Sequence, residues 1–384
     1  MTEVTRNERY QGLAYAALIL VLVTGCAAPV KKDLKPSFFP PGSEFPRIQY
    51  LTSFSGLRDI EEQSLFNRFV VGEKQDVKLD KPYGVAIHDG KIYACDTNAT
   101  VAVLDLKAKT FRALKGAIGS GALKQPSNIS IEADGTKYVA DPVRGQVVAF
   151  DRNDAYLRAY GAPGGWRPVD AVPFEDRLYV ADPASGVVKV FDKETGAALK
   201  NIGDKGDPSE RLDRPTNLSF DREGYLYVTD VGRFQVIKFD RDGHFQATFG
   251  KPGDNPGHFA RPKGIATDRE GRVYVVDASF NNVQVFNRDR RLLMSFGGSG
   301  EEPGSLVLPA KVTIDYDNLE YFQKYVDPSF ESEYLILVTS QFGDRRVNVL
   351  AYGRQKGKDY PSDAELLKQI DERRIKELQK PQAP

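Results

Sequence analysis

Six prolines, Pro82, Pro126, Pro168, Pro215, Pro262 and Pro309, each open a stretch of similar design, at intervals of 44, 42, 47, 47 and 47 residues. A period of that length marks a chain built from repeated copies of one small unit. The copy from Arg214 to Gly250 reads RPTNLSFDREGYLYVTDVGRFQVIKFDRDGHFQATFG, and the copy from Arg261 to Gly297 reads RPKGIATDREGRVYVVDASFNNVQVFNRDRRLLMSFG. In the first of these, Asn217–Phe220, Tyr225–Thr229, Gln235–Phe239 and Phe245–Phe249 are β-rich runs parted by turns such as Asp221–Gly224. Four short strands joined this way make one antiparallel sheet. Six sheets at this spacing predict an all-β, six-bladed propeller over residues 42–356. Blades pack on neighbours through both faces, which explains strands that are apolar on both sides instead of strictly alternating.

The sixth unit carries three strand patterns, Lys311–Ile314, Leu335–Thr339 and Val347–Tyr352, but no fourth. A segment near the other end, Ile48–Gly56 (IQYLTSFSG), matches the outer-strand pattern of Leu292–Gly297. The prediction is that this N-terminal segment completes the last blade and closes the ring, because an open array would leave an unpaired edge and an uncovered apolar face.

The repeated Tyr-Val-x-Asp strand occurs at Tyr138–Asp141, Tyr179–Asp182, Tyr227–Asp230 and Tyr274–Asp277, with Tyr93–Asp96 and Ser340 as departures. Together with the Pro-x-x-Ile/Leu inner strand and the Val-x-x-Phe-Asp third strand, it resembles NHL repeats. The whole resembles the six-bladed NHL-type propeller lipoproteins of bacteria. A second resemblance lies near the N-terminus. Arg6 and Arg9 precede the apolar run Leu13–Val23, which is too short for the ~20 residues of a spanning helix, and Val23-Thr24-Gly25-Cys26 follows it. This is similar to a lipobox. It implies a signal peptide over 1–25, lipidation of Cys26, and a proline- and lysine-bearing tether over 26–41 that could bring Phe38 and Phe39 to the domain or to the lipid surface. Ala27 and Ala28 in place of an aspartate imply the outer membrane of a Gram-negative envelope.

Charge balances, 53 basic against 53 acidic residues, so no global field draws a polyanion and nucleic acid is not expected as a partner. With Cys26 lipidated, Cys95 stands alone, which excludes an intramolecular disulfide and a cysteine zinc cluster. The three histidines, His88, His244 and His258, hold non-equivalent repeat positions and are not expected to share a metal. No Gly-x-Ser-x-Gly elbow occurs.

Departures from the repeat mark candidate functional surfaces. Residues 57–79 replace a short link, with a helix-compatible middle at Ile60–Phe69, and residues 315–333 replace a tight turn. In the latter, Asn318 is placed to cap a short helix, and Tyr316, Tyr321, Phe322, Tyr325 and Phe330 suggest either a partner-binding patch or a cover for the blade edge. Ser362 and Glu365 form a capping-box pattern opening a helix over 361–380, with Leu366, Leu367, Ile370 and Leu378 as its apolar stripe.

Two positions after each opening proline stand Gly84, Asn128, Asp170, Asn217, Gly264 and Lys311, which the repeat places near one mouth of the channel. Asn128, Asp170, Asn217 and Lys311 could hold a small polar ligand or a hard cation. The resemblance to lactonase propellers implies a channel calcium, for which one carboxylate opposed by a lysine is thin, so no cofactor is expected. Lys81, Arg167, Arg214 and Arg261 precede four of the prolines and either meet an anionic partner or pair with the strand-ending aspartates. The function expected from all this is a lipid-anchored, monomeric, non-catalytic scaffold for an envelope protein or polysaccharide. The alternative is a lactonase- or lyase-type propeller enzyme or small-ligand binder using the channel.

Overall fold

Each repeat folds into one sheet whose strands follow chain order, because tight turns leave antiparallel neighbours as the short route. In the computed structural model, which describes residues 36–60, 77–98 and 100–378, five four-stranded sheets and one five-stranded sheet are found. The inner strands are Pro82–His88, Asn128–Ile131, Asp170–Phe174, Pro215–Phe220, Pro262–Thr267 and Pro309–Asp315. Each touches the next, and the last touches the first, so the six blades form a closed ring. Residues 1–25, read above as a signal peptide, Cys26 with the expected tether as far as residue 35, and residues 61–76, which hold most of the helix-compatible stretch, lie outside the described residues. Among the described residues no helix is long and apolar enough to cross a membrane.

The closure predicted from sequence is present. Ile48–Phe54 pairs antiparallel with Val347–Gln355, with Ile48 opposite Tyr352 and Phe54 opposite Val347. Phe38–Phe39 adds a fifth strand on its far side, so both phenylalanines dock on the domain. Ile48, Leu51 and Phe54 are buried, which stabilises the closed ring by on the order of 5 kcal/mol.

The insertion at 315–333 braces the seam between the sixth and first blades. Phe322, on a 3-10 turn over Leu319–Tyr325, and Phe330 are buried in one cluster with Phe54, Leu335, Ile87 and Ile92. Asn318 does not cap that turn with its side chain. Its Oδ1 instead accepts the Gly90 N–H of the first blade at 2.8 Å, and the Tyr321 ring lies against Gly90. Tyr316 packs on Tyr334, and its hydroxyl accepts the Arg269 N–H at 2.9 Å. These aromatics turn inward because a seam made from distant chain segments needs its own apolar cover.

Asp363–Leu378 forms the C-terminal helix, and its capping box is made: the Ser362 N–H and hydroxyl both donate to Glu365 at 2.8 Å. Leu367 is buried, and Arg291 and Arg272 of the fifth blade pair with Asp371 and Asp363, so the helix lies on that blade's flank.

Deleting residues 37–56 should abolish the cooperative thermal transition followed by circular dichroism. A truncated protein that melts sharply at the parent's temperature would remove the closure from the account.

Candidate functional site at the channel mouth

The aspartates that end the second strands fix where the inner strands begin. Asp96, Asp182, Asp230 and Asp277 accept the main-chain N–H of Lys81, Arg167, Arg214 and Arg261 at 3.1, 3.0, 2.9 and 3.2 Å. The expected pairing of those basic side chains with these aspartates is therefore not what forms. Carboxylate oxygens are better filled by amides that a tight turn already holds in place. Arg167, Arg214 and Arg261 are left exposed on the face where the prolines lie, and Lys81 rests 5.3 Å from the Phe342 ring centroid. In the sixth blade Ser340 replaces the aspartate, and its hydroxyl accepts the Val307 N–H at 3.2 Å.

Hydroxyl groups of the second, fourth and sixth blades then tie each of them to the inner strand of the next blade. Ser127 Oγ donates to the Val169 carbonyl at 2.8 Å, Thr229 to Lys263 at 2.7 Å, and Thr339 to Tyr83 at 2.6 Å. These bonds hold the first residues after the prolines against one another around the axis. Gly84 and Gly264 belong to the same device. A Cβ on Gly84 would sit 2.5 Å from the Asn128 Cα, and one on Gly264 would sit 2.6 Å from the Lys311 Cα, so only glycine lets those strands approach.

Asp170 and Lys311 meet across the bore. They belong to the third and sixth blades, opposite in a ring of six, and Lys311 Nζ lies 2.9 Å from Asp170 Oδ2. Both are buried. The same oxygen accepts the Leu218 N–H at 3.0 Å and the Asn217 amide at 3.3 Å, and Oδ1 accepts the Ala171 N–H at 3.0 Å. Asn128 is nearby in the ring and donates to the Val169 carbonyl at 3.0 Å. The Oδ1 atoms of Asn128 and Asn217 are buried without a donor. The four residues singled out from sequence thus stand around one axis.

Two more residues belong here that the reading by position missed. Tyr83 and Lys263 come directly after their prolines, where Ser127, Val169, Thr216 and Ala310 are small. That size contrast was the available signal. Lys263 is 7% exposed, and its Nζ lies 4.7 Å from the centroid of the Tyr83 ring, on a blade two places away, so the pair also spans the mouth. Burial, then the charges of Arg261 and Lys81, lower the Lys263 pKa to about 8. Burial, then the Asp170 charge, raise the Tyr83 pKa to about 12 against the opposing pull of Arg261, so its hydroxyl stays protonated.

A calcium ion does not fit this donor set. Asp170 is the single carboxylate in the bridge, and the Lys311 ammonium occupies the place against it that a cation would take. Among the described residues no three His, Cys, Asp or Glu side chains cluster to hold a metal. His244 bonds to Asp240 in an exposed turn at 2.8 Å, far along the chain and fold from the bore.

No protein-family model and no curated protein matches the chain. Solved structures match its fold. A gluconolactonase from Xanthomonas campestris superposes with a TM-score of 0.53 at 16% identity, over 83% of this chain and 94% of its own. A protein of unknown function from Bacteroides thetaiotaomicron gives 0.57 at 13%, over 79% and 75%. An auxiliary nutrient-binding protein from the same organism gives 0.53 at 12%, over 72% and 70%. At these identities the likeness establishes the six-bladed propeller. It also overturns the expectation of a chain without turnover: an enzyme shares this fold over nearly its whole length, so the propeller form gives no ground for denying catalysis.

The Lys263 charge is held at an energetic loss in the folded protein, which sets a pH test. Its folded pKa of about 8 lies below the ordinary 10.5, so this group's destabilisation is complete below pH 8 and fades as pH rises towards 10.5. Lys263→Met should therefore raise stability at pH 7 by about 2 kcal/mol in urea melts, with the gain gone near pH 10.5. A variant less stable than the parent at pH 7 would show that the lysine is a structural brace.

Proposed function

We propose that this protein is a propeller enzyme of the lactonase or lyase type that takes a small polar substrate into the mouth of its channel. The observation that supports this most is convergence: Tyr83, Asn128, Asp170, Asn217, Lys263 and Lys311, one from each of six blades, supply a charged and hydrogen-bonding lining at one spot. A fold that needed only packing would fill these positions with apolar or small groups, as Val169 and Ala310 do one position away.

The chemistry on offer fits a polyhydroxy ester or lactone. The unpartnered amide oxygens of Asn128 and Asn217 call for donors, which substrate hydroxyls supply. The Lys263 ammonium lacks a counter-charge, so it stabilises negative charge that develops on a carbonyl oxygen during attack by water. Tyr83 keeps its proton and adds a donor. The Asp170–Lys311 bridge holds the floor rigid, through bonds reaching three blades.

The reading includes envelope attachment through a lipid on Cys26, supported by the lipobox-like Val23–Cys26, and an NHL-type repeat, supported by the Tyr-Val-x-Asp strands. Cys26→Ser should move the protein from the membrane pellet to the soluble fraction, and an unchanged distribution would remove the anchor. For the activity, full-length protein in detergent should hydrolyse glucono-1,5-lactone or a related aldonolactone above the buffer rate. Lys263→Met should lower kcat about 100-fold or more while changing KM much less. Absence of turnover across a lactone panel, or turnover indifferent to Lys263, would end this reading.

A further inference from the structure

Three lysines are buried among the described residues, and two of them are neutralised. Lys137 Nζ lies 3.1 Å from Asp154 and donates to the carbonyls of Gly135 and Asp151. Lys311 has Asp170. Lys263 has neither a carboxylate nor a carbonyl, only the face of Tyr83. An ammonium removed from water with no oxygen against it is strongly unfavourable, and proteins seldom keep one without a use.

The groups facing it add to the imbalance. Arg261, just before the same strand, and Lys81, just before the first inner strand, are its charged neighbours, and both repel its charge. The carboxylates of this region are already committed. Asp170 is held by Lys311, while Asp96 and Asp277 are filled by main-chain amides, from Asp80 and Lys81 in one case and from Ala260 and Arg261 in the other. Lys81, Arg261 and Lys263 therefore put three mutually repelling positive charges on one side of the ring, with no carboxylate paired to any of them among the described residues. Tyr83, a half-buried phenol that stays protonated, adds a hydroxyl donor within the same mouth.

We propose that the mouth binds the oxyanion of a small ligand, a carboxylate or a phosphate, with Lys263 as the buried contact and Arg261 and Lys81 drawing it in from the rim. The inference rests on the channel mouth being the ligand site, but it needs no turnover. It adds that, among polar molecules, the mouth holds anionic ones most tightly, such as the sugar acid that hydrolysis of a neutral lactone releases or a sugar phosphate, and it explains why an unfavourable lysine is kept. An anion arriving at Lys263 gains a charge-assisted hydrogen bond in a place shielded from water and removes the repulsion among the three cations. The rim charges act at longer range and mainly speed capture.

Calorimetric titration of the full-length protein at pH 6.5 with gluconate, glucose 6-phosphate and neutral glucose separates the possibilities. Binding of gluconate identifies a carboxylate site and binding of glucose 6-phosphate a phosphate site, and glucose should bind neither way. Lys263→Met should weaken the anion at least tenfold, and because that variant is expected to be the more stable protein, its loss of binding cannot be put down to unfolding. Arg261→Gln with Lys81→Gln should weaken it several-fold and flatten its salt dependence. For the wild type, affinity should fall about tenfold between pH 7 and pH 9.5 as Lys263 loses its proton. The proposal is overturned if neither anion binds the wild type, if Lys263→Met binds them equally well, or if glucose binds as tightly as gluconate. A protein that binds an anion in this way and hydrolyses no lactone would retain this inference while losing the enzymatic one.

Discussion

Everything at the bore depends on one set of main-chain hydrogen bonds, those between Ile48–Phe54 and Val347–Gln355. A ring of sheets has no inside until its ends meet. Here the meeting is made by strand pairing between segments almost three hundred residues apart, so closing it involves a long-range loop whose entropy must be offset at the seam. The seam is accordingly the most heavily furnished part of the molecule. Phe38–Phe39 adds a further strand, the 315–333 insertion covers the gap towards the first blade, and Asn318 bonds across it to Gly90. A buried chain of groups on the other side, Tyr274 to Tyr334 to Asp268 to Arg272, joins the sixth blade to the fifth.

Closure converts weak positional preferences into a site. Single residues from six repeats would be scattered along an open array, and none of them forms a motif by itself. Brought around an axis, they produce a bridge from Asp170 to Lys311 and, beside it, a lysine facing a tyrosine with no counter-ion. The two features differ in kind. The bridge is neutral and its carboxylate is filled by donors, a brace between opposite blades. Lys263 is charged and unsatisfied, and it is the part that a ligand would complete. Stability and recognition are thus divided between two lysines whose opening prolines lie one repeat apart.

Much of this was legible in the sequence. The proline period, the four-strand units and the missing outer strand of the last unit follow from pattern alone, since turn chemistry and apolar runs are local properties. Asn128, Asp170, Asn217 and Lys311 were also legible, because equivalent positions in a repeat take equivalent places around the axis. Tyr83 and Lys263 were not. Counting alternate residues from the proline assumes a regular strand, but pairing slips between Pro82 and Val85 and between Pro262 and Ile265, and the slip brings the residue before each glycine into the mouth as well. For the basic residues before the prolines, one of the two readings failed for another reason. Side-chain charge suggested ion pairs, whereas the aspartates were taken by amides of the same residues. The aromatic insertion could be read as exposed or buried until the seam it covers was seen.

The most direct test of the closed ring is a double-mutant cycle on Asp170 and Lys311, since only closure sets the third and sixth blades facing each other. Urea denaturation of Asp170→Asn, Lys311→Met and the double variant gives the coupling. The account predicts that each single change destabilises by about 3 kcal/mol and that the pair is coupled by at least about 1.5 kcal/mol, so the double variant loses clearly less than the sum. Additive losses, with coupling near zero, would mean that these side chains do not meet, and the bore described here would not exist.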